Sequence, residues 1–132
     1  MDRDYLSTMI QALYNDILID LNIDKINTYF SPLYVQTTDH VTSDINEFTE
    51  HLRKLKEVVS KLTIKQFETM LIDENQNTVF LRYNVYVTKK NGNRGKIEVY
   101  AEFKFNEDGK VISCNELTMP YSEELKGIGS IK

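Results

Sequence analysis

The sequence predicts an α+β fold in which amino-terminal helices pack on a curved antiparallel sheet, and three observations carry that prediction. Apolar residues recur at helical spacing through the first 62 residues, interrupted by a polar segment at 31–42. The stretch from Asn77 to Tyr121 then reads as three β-rich runs separated by two turn signals. One of those runs alternates strictly: Ile97, Val99, Ala101, Phe103 and Phe105 face one way, and Lys96, Glu98, Tyr100, Glu102 and Lys104 the other. Helices followed by a meander place the helices on one sheet face. A twisted sheet of this size curls, so helices across its hollow side leave a cone-shaped α+β barrel, closed at one end.

Composition narrows the function classes. The chain has 132 residues, enough for one domain with a real core, and we expect a single domain over 1–132 with 121–132 a short irregular tail. Charged residues make up 27% and the net charge is −4, with no basic stripe, so a phosphate-tracking nucleic-acid binder is not expected. The start, MDRDYLSTMIQALYND, is acidic and amphipathic rather than signal-like. No apolar run approaches the ~20 residues that span a bilayer. Cys114 is the only cysteine, which rules out an intrachain disulfide and suits a reducing cytoplasm. It reads as a small apolar strand residue, since no basic neighbour in sequence would activate its thiol.

Leu6, Met9, Ile10, Leu13, Ile17 and Leu21 predict a helix from about Asp4 to Asp20. Ile23, Ile26 and Phe30 make a second, shorter stripe that stops before Pro32. Residues 31–42 read as loop with at most a short strand at Tyr34 to Gln36. Asp44 caps the next helix with Glu47 as its capping-box partner, and that helix ends near Lys61. Ile64 to Ile72 is the first long strand, with DENQN as the turn behind it. In the following strand Val79, Leu81, Tyr83, Val85 and Val87 share one face. Lys-Asn-Gly-Asn and Asn-Glu-Asp-Gly close two hairpins, and the last strand runs from Lys110 to Met119.

The order of these elements resembles the nuclear transport factor 2-like superfamily, in its SnoaL-like group of polyketide cyclases and ketosteroid isomerases. FKFNEDGKVI (103–112) is similar to the superfamily's penultimate strand, turn and final strand, FSPLYVQ (30–36) to the segment after its second helix, and NEFTEHL (46–52) to the start of its third helix. The resemblance implies a pocket under the helices and homodimers through the outer sheet face. It does not select a reaction. The position of the cyclases' catalytic aspartate falls at Met119, and no counterpart of the isomerases' acid stands out.

The candidate site residues follow from which strand faces point inward. The apolar phase puts Tyr83 inside and Arg82, Asn84 and Tyr86 outside. The last strand has two readings, because a slip of one residue exchanges its faces. With Gly109 in the left-handed region after a type I turn, Val111, Ser113, Asn115 and Leu117 point inward; with a two-residue Asp-Gly turn, Ile112, Cys114, Glu116 and Thr118 do. The first matches the superfamily's pattern and is favoured, which would turn Glu116 outward toward Arg82. The expected apolar pocket is lined by Leu13, Phe30, Tyr34, Phe48, Tyr83 and Phe103, with Tyr14, His51 and Asn115 as polar contacts. Two residues suit acid–base work: His51 at neutral pH, and Glu116 if the second register holds and burial raises its pKa. His40, beside Asp39, reads as a solvated loop residue. Two histidines on different elements without an acid cluster do not make a metal site, and with no glycine-rich phosphate loop no cofactor is expected. Tyr86 and Tyr100, set among charges, read as a dimer surface. The expected activity is binding of a small apolar molecule, with isomerase, cyclase or hydratase chemistry and a protein-interaction role as alternatives.

Overall fold

The computed structural model describes residues 1–121; the predicted tail beyond Tyr121 lies outside the described residues. Helix α1 (Arg3–Leu13) runs into a π-helical stretch (Tyr14–Ile19), followed by a 3₁₀ turn (Ile23–Lys25) and the short α2 (Ile26–Tyr29). Next come β1 (Phe30–Thr38), β2 (Val41–Asp44), α3 (Ile45–Val58), β3 (Val59–Thr63) and β4 (Phe67–Asp73). Strands β5 (Thr78–Lys89), β6 (Arg94–Phe105) and β7 (Val111–Pro120) complete the described chain. All strands join one sheet in the order β2-β1-β7-β6-β5-β3, with β4 also on β5.

The α+β architecture is as the periodicities predict. The β5–β6 ladder sets the core, pairing Val79 with Phe103, Leu81 with Ala101, Tyr83 with Val99 and Val85 with Ile97. All eight of these residues are buried, each large apolar one worth about 1.5–3 kcal/mol on burial. Helix α1 begins because the Asp2 carboxylate accepts from the Tyr5 N–H at 2.8 Å, and it buries Leu6, Ile10 and Leu13 on the sheet. Asp44 and Glu47 form the predicted capping box of α3, with Glu47 N to Asp44 Oδ1 at 2.9 Å and Asp44 N to Glu47 Oε1 at 3.1 Å.

Four boundaries differ from the sequence reading, and in each tertiary pairing overrides local pattern. The first helix widens into a π-helix over its last turns, which brings Tyr14 and Ile17 both to the buried side. The segment read as loop is instead the nine-residue β1, followed by a tight hairpin into β2. Its polar composition hid it, because Gln36 and Thr38 are buried there. Strand β1 lies parallel to β7, so the sheet is mixed rather than wholly antiparallel. Helix α3 stops at Val58, the residues read as its last turn form β3, and the strand expected at 64–72 is β4, which starts at Phe67. Strand β3 pairs with the Tyr86–Lys89 end of β5, and β4 with its Thr78–Tyr83 end.

The β6–β7 connection decides the site. Gly109 has φ +81°, its N–H reaches Asn106 O at 3.1 Å, and Asn106 N reaches Lys110 O at 2.8 Å. This is the turn that the favoured register required, and Val111 accordingly sits inside opposite Phe105. Lys104, however, pairs with Ser113, so Ile112 is an extra residue on β7. Such a bulge exchanges the faces of everything after it. Cys114, Glu116 and Thr118 therefore lie opposite inward Phe103, Ala101 and Val99. Asn115 and Leu117, expected inside, are exposed.

A Cβ at position 109 would collide with Tyr5 Oη, which donates to Gly109 O at 2.8 Å. Adding the strain of a left-handed backbone, Gly109→Ala should lower unfolding free energy by about 1–3 kcal/mol. Urea denaturation checks this; an unchanged midpoint would contradict the turn geometry.

Candidate functional site

Between the helices and the sheet lies a cavity of about 110 Å³, several times the space that one water needs. Of the residues expected to line it, Leu13, Tyr14, Phe30, Tyr34, Phe48, His51, Tyr83 and Phe103 do line it. Asn115 does not: the Ile112 bulge turns it to the outer face. Glu116, given the outward position in the favoured register, points into the cavity instead. Arg82 pairs across the sheet with Glu98 at 3.7 Å rather than with Glu116.

The aromatic wall is built from neighbouring rings. Phe30, Tyr34 and Phe48 meet with centroids 4.5–5.1 Å apart. Opposite them Tyr14 stands edge-on to Tyr83, Phe103 and Phe67 at 5.0–5.8 Å. Tyr14 donates to Tyr83 Oη at 2.7 Å. The Tyr83 hydroxyl keeps its own proton, which has no acceptor among the described residues. Burial pushes the phenols of Tyr14, Tyr34 and Tyr83 well above their ordinary range, so all three are neutral donors.

Glu116 is the acid of this wall. The parallel pairing sets Thr38 beside Glu116 and Gln36 beside Cys114, so alternate residues of β1 reach across to alternate residues of β7. Glu116 Oε1 accepts from Gln36 Nε2 and from Thr38 Oγ1, each at 3.0 Å. Gln36 Nε2 also donates to Thr38 Oγ1 at 2.8 Å, and the Tyr34 hydroxyl donates to Gln36 Oε1. Oε2 has no hydrogen-bond donor among the described residues. One oxygen is thus fixed by two donors, on a side chain that lines the cavity.

Burial raises the Glu116 pKa from its ordinary 4.5 to about 7. The Thr38 and Gln36 donors pull it partly back, and the Asp39 carboxylate pushes it further up. The carboxyl can thus lose or gain a proton near neutral pH. Cys114, beside it, is held as a thiol by burial. His51 lines the same cavity from α3, half-buried. His40 sits exposed at the β1–β2 hairpin tip.

Gln36 and Thr118 also line the cavity, with Thr38 and Asp39 behind them; of these four only Thr118 was placed inward by sequence reasoning, in the second register. The period-2 pattern of Tyr34, Gln36 and Thr38 was the available signal, masked by polar side chains on the inward face. Among the described residues, no group of three or more His, Cys, Asp or Glu could hold a metal ion. No helix among them is long and apolar enough to cross a membrane.

No protein-family model matches the chain, and no curated protein does. Solved structures do. AusH from Aspergillus nidulans superposes with TM-score 0.78 at 16% identity, over 89% of this chain and 86% of that one. A protein described as a SnoaL-like polyketide cyclase, from Shewanella denitrificans, gives TM-score 0.76 at 12% identity over 89% and 92%. An LEH-like epoxide hydrolase from M. tuberculosis gives 0.72 at 12% over 88% and 79%. Likeness at this identity speaks to fold alone: the chain shares the α+β architecture of these structures, a SnoaL-like protein and an LEH-like protein among them.

Proposed function

We propose that the cone binds a small, neutral, largely apolar molecule and that Glu116 moves a proton on it, as in an isomerase, cyclase or hydratase. The supporting observation is the Glu116 carboxyl itself, one oxygen tied to Gln36 and Thr38 on a side chain that lines a largely apolar cavity. A carboxyl with a pKa of about 7 serves as base in one step and acid in the next. The Tyr83 proton, with Tyr14 donating behind it, is placed to stabilise negative charge growing on a ligand oxygen. Among the described residues no lysine or arginine lines the cavity, which favours a neutral ligand. Two of the structurally similar proteins, a SnoaL-like polyketide cyclase and an LEH-like epoxide hydrolase, are by name enzymes of small molecules.

The second reading is binding without turnover, in which protonated Glu116 and Tyr83 act only as hydrogen-bond donors. Its support is the apolar aromatic wall, which would hold a ring-sized molecule whatever chemistry follows. A second copy covering the outer sheet face is part of either proposal. Tyr100 and Leu117 lie opposite each other there and are both exposed, at 41% and 51%. A cytoplasmic setting suits the single unpaired thiol.

Deuterium exchange separates the two readings without knowledge of the natural substrate. Cyclohexanone or cyclopentenone incubated with the protein in D2O should exchange its α-hydrogens faster than in buffer, followed by NMR. Glu116→Gln should remove at least about 10²-fold of that acceleration. Equal rates for wild type and variant would leave only the binding reading.

The same carboxyl makes stability depend on pH in a stated direction. Its folded pKa lies above its unfolded one, so the folded state binds more protons between the two, and stability falls as pH rises from about 4.5 to about 7. Glu116→Gln lacks this group. Its thermal midpoint should match wild type near pH 4, exceed it progressively up to pH 7, and hold a constant lead above. A lead independent of pH would show that Glu116 is ionised normally.

A further inference from the structure

The β1–β2 hairpin turns on two residues, Asp39 with φ 49° and His40 with φ 70°. Both lie in the left-handed region that a two-residue turn demands and that asparagine followed by glycine fills most easily. The turn alone therefore does not call for an aspartate. What the aspartate does is visible on β7. The Thr118 N–H donates to Asp39 Oδ1 at 2.7 Å, and the Thr118 hydroxyl donates to Asp39 Oδ2. In return the Asp39 N–H donates to the Glu116 carbonyl at 3.0 Å. The hairpin tip thus clasps β7 at the backbone of Glu116 and at both donors of Thr118, its next inward neighbour.

Resting on the acid–base reading of the cavity, we propose that Asp39 is the positioning residue of the site. It fixes Glu116 from behind through the β7 backbone and supplies the negative charge against which the Glu116 proton is held. The other groups facing Glu116 do not compete for that task. Thr38 and Gln36 on β1 are neutral donors that favour the ionised form. Tyr34 on β1, Tyr14 of the π-helical stretch, Tyr83 on β5 and Cys114 on β7 keep their protons through burial. His51 of α3 lines the same cavity and is kept unchanged in the test. Among the carboxylates of the described residues, Asp39 is the one that pushes the Glu116 proton affinity upward, second in that direction only to burial. An enzyme that needs its acid poised near neutrality gains from a fixed like charge close by, as long as that charge touches no ligand. Asp39 lies outside the cavity wall.

The test is direct titration of the Glu116 carboxyl by NMR, with ¹³C-labelled glutamate, in wild type, Asp39→Asn and Asp39→Gly. Asparagine keeps the turn and an oxygen for Thr118 but removes the charge. Glycine favours the left-handed backbone and removes the whole side chain, which guards against a variant that fails to fold. Both should lower the Glu116 midpoint by about half a pH unit or more, and the acid limb of any exchange activity should move with it. A folded variant whose Glu116 midpoint equals that of wild type would overturn the assignment. A wild-type midpoint near 4.5, by contrast, would remove the acid–base reading of the cavity, whichever way the variants move.

Discussion

Ile112 has no partner across the β6–β7 ladder, and that one extra residue decides which side chains of β7 meet the helices. Without it, the inward set begun by Val111 would continue through Ser113, Asn115 and Leu117, and the cavity would hold an amide but no acid. With it, Cys114, Glu116 and Thr118 turn inward and a carboxyl enters an apolar enclosure. Burying an unpaired charge there is costly, so the group instead keeps its proton up to about pH 7. Position and raised proton affinity of Glu116 thus share one origin, a bulge of one residue behind a glycine turn.

The neighbouring strand makes that burial tolerable. Strand β1 lies parallel to β7, and its inward residues Tyr34, Gln36 and Thr38 form a continuous line of hydrogen bonds ending on Glu116 Oε1. No buried side-chain nitrogen or oxygen among the described residues lacks a partner, which is what a polar group inside a core requires. The same line orients the carboxyl by holding one of its oxygens.

Much of the fold was legible because apolar alternation and helical stripes report burial directly. Ile97 to Phe105 fixed the central strand, and Asp44 with Glu47 fixed the start of α3. Phe30, Phe48 and Tyr83 lay on those periodicities, while the place of Phe30 and Tyr34 in the aromatic wall came from the resemblance of FSPLYVQ (30–36) to the superfamily. Strand β1 was read as no more than Tyr34 to Gln36 because Gln36 and Thr38 on its inward face are polar, and polarity on a buried face carries no signal until the partners are known. Glu116 was on the page as a candidate, yet placed outside in the favoured register. A bulge depends on pairing with a distant strand, and nothing local to Lys110–Ser113 marks Ile112 as the residue skipped. Asp39 was passed over with its hairpin, since only the fold brings it to Thr118.

The phase of β7 is the claim on which the site stands, and the single cysteine makes it measurable. A bulky, charged thiol reagent can be applied to the native protein and, in parallel, to a Cys114→Ser, Asn115→Cys variant. Cys114 is 2% exposed and its neighbour Asn115 faces solvent. The account predicts that the native thiol reacts only on unfolding while the thiol at 115 reacts at once. Rapid labelling at 114 with protection at 115 would put Glu116 on the outer face and contradict it.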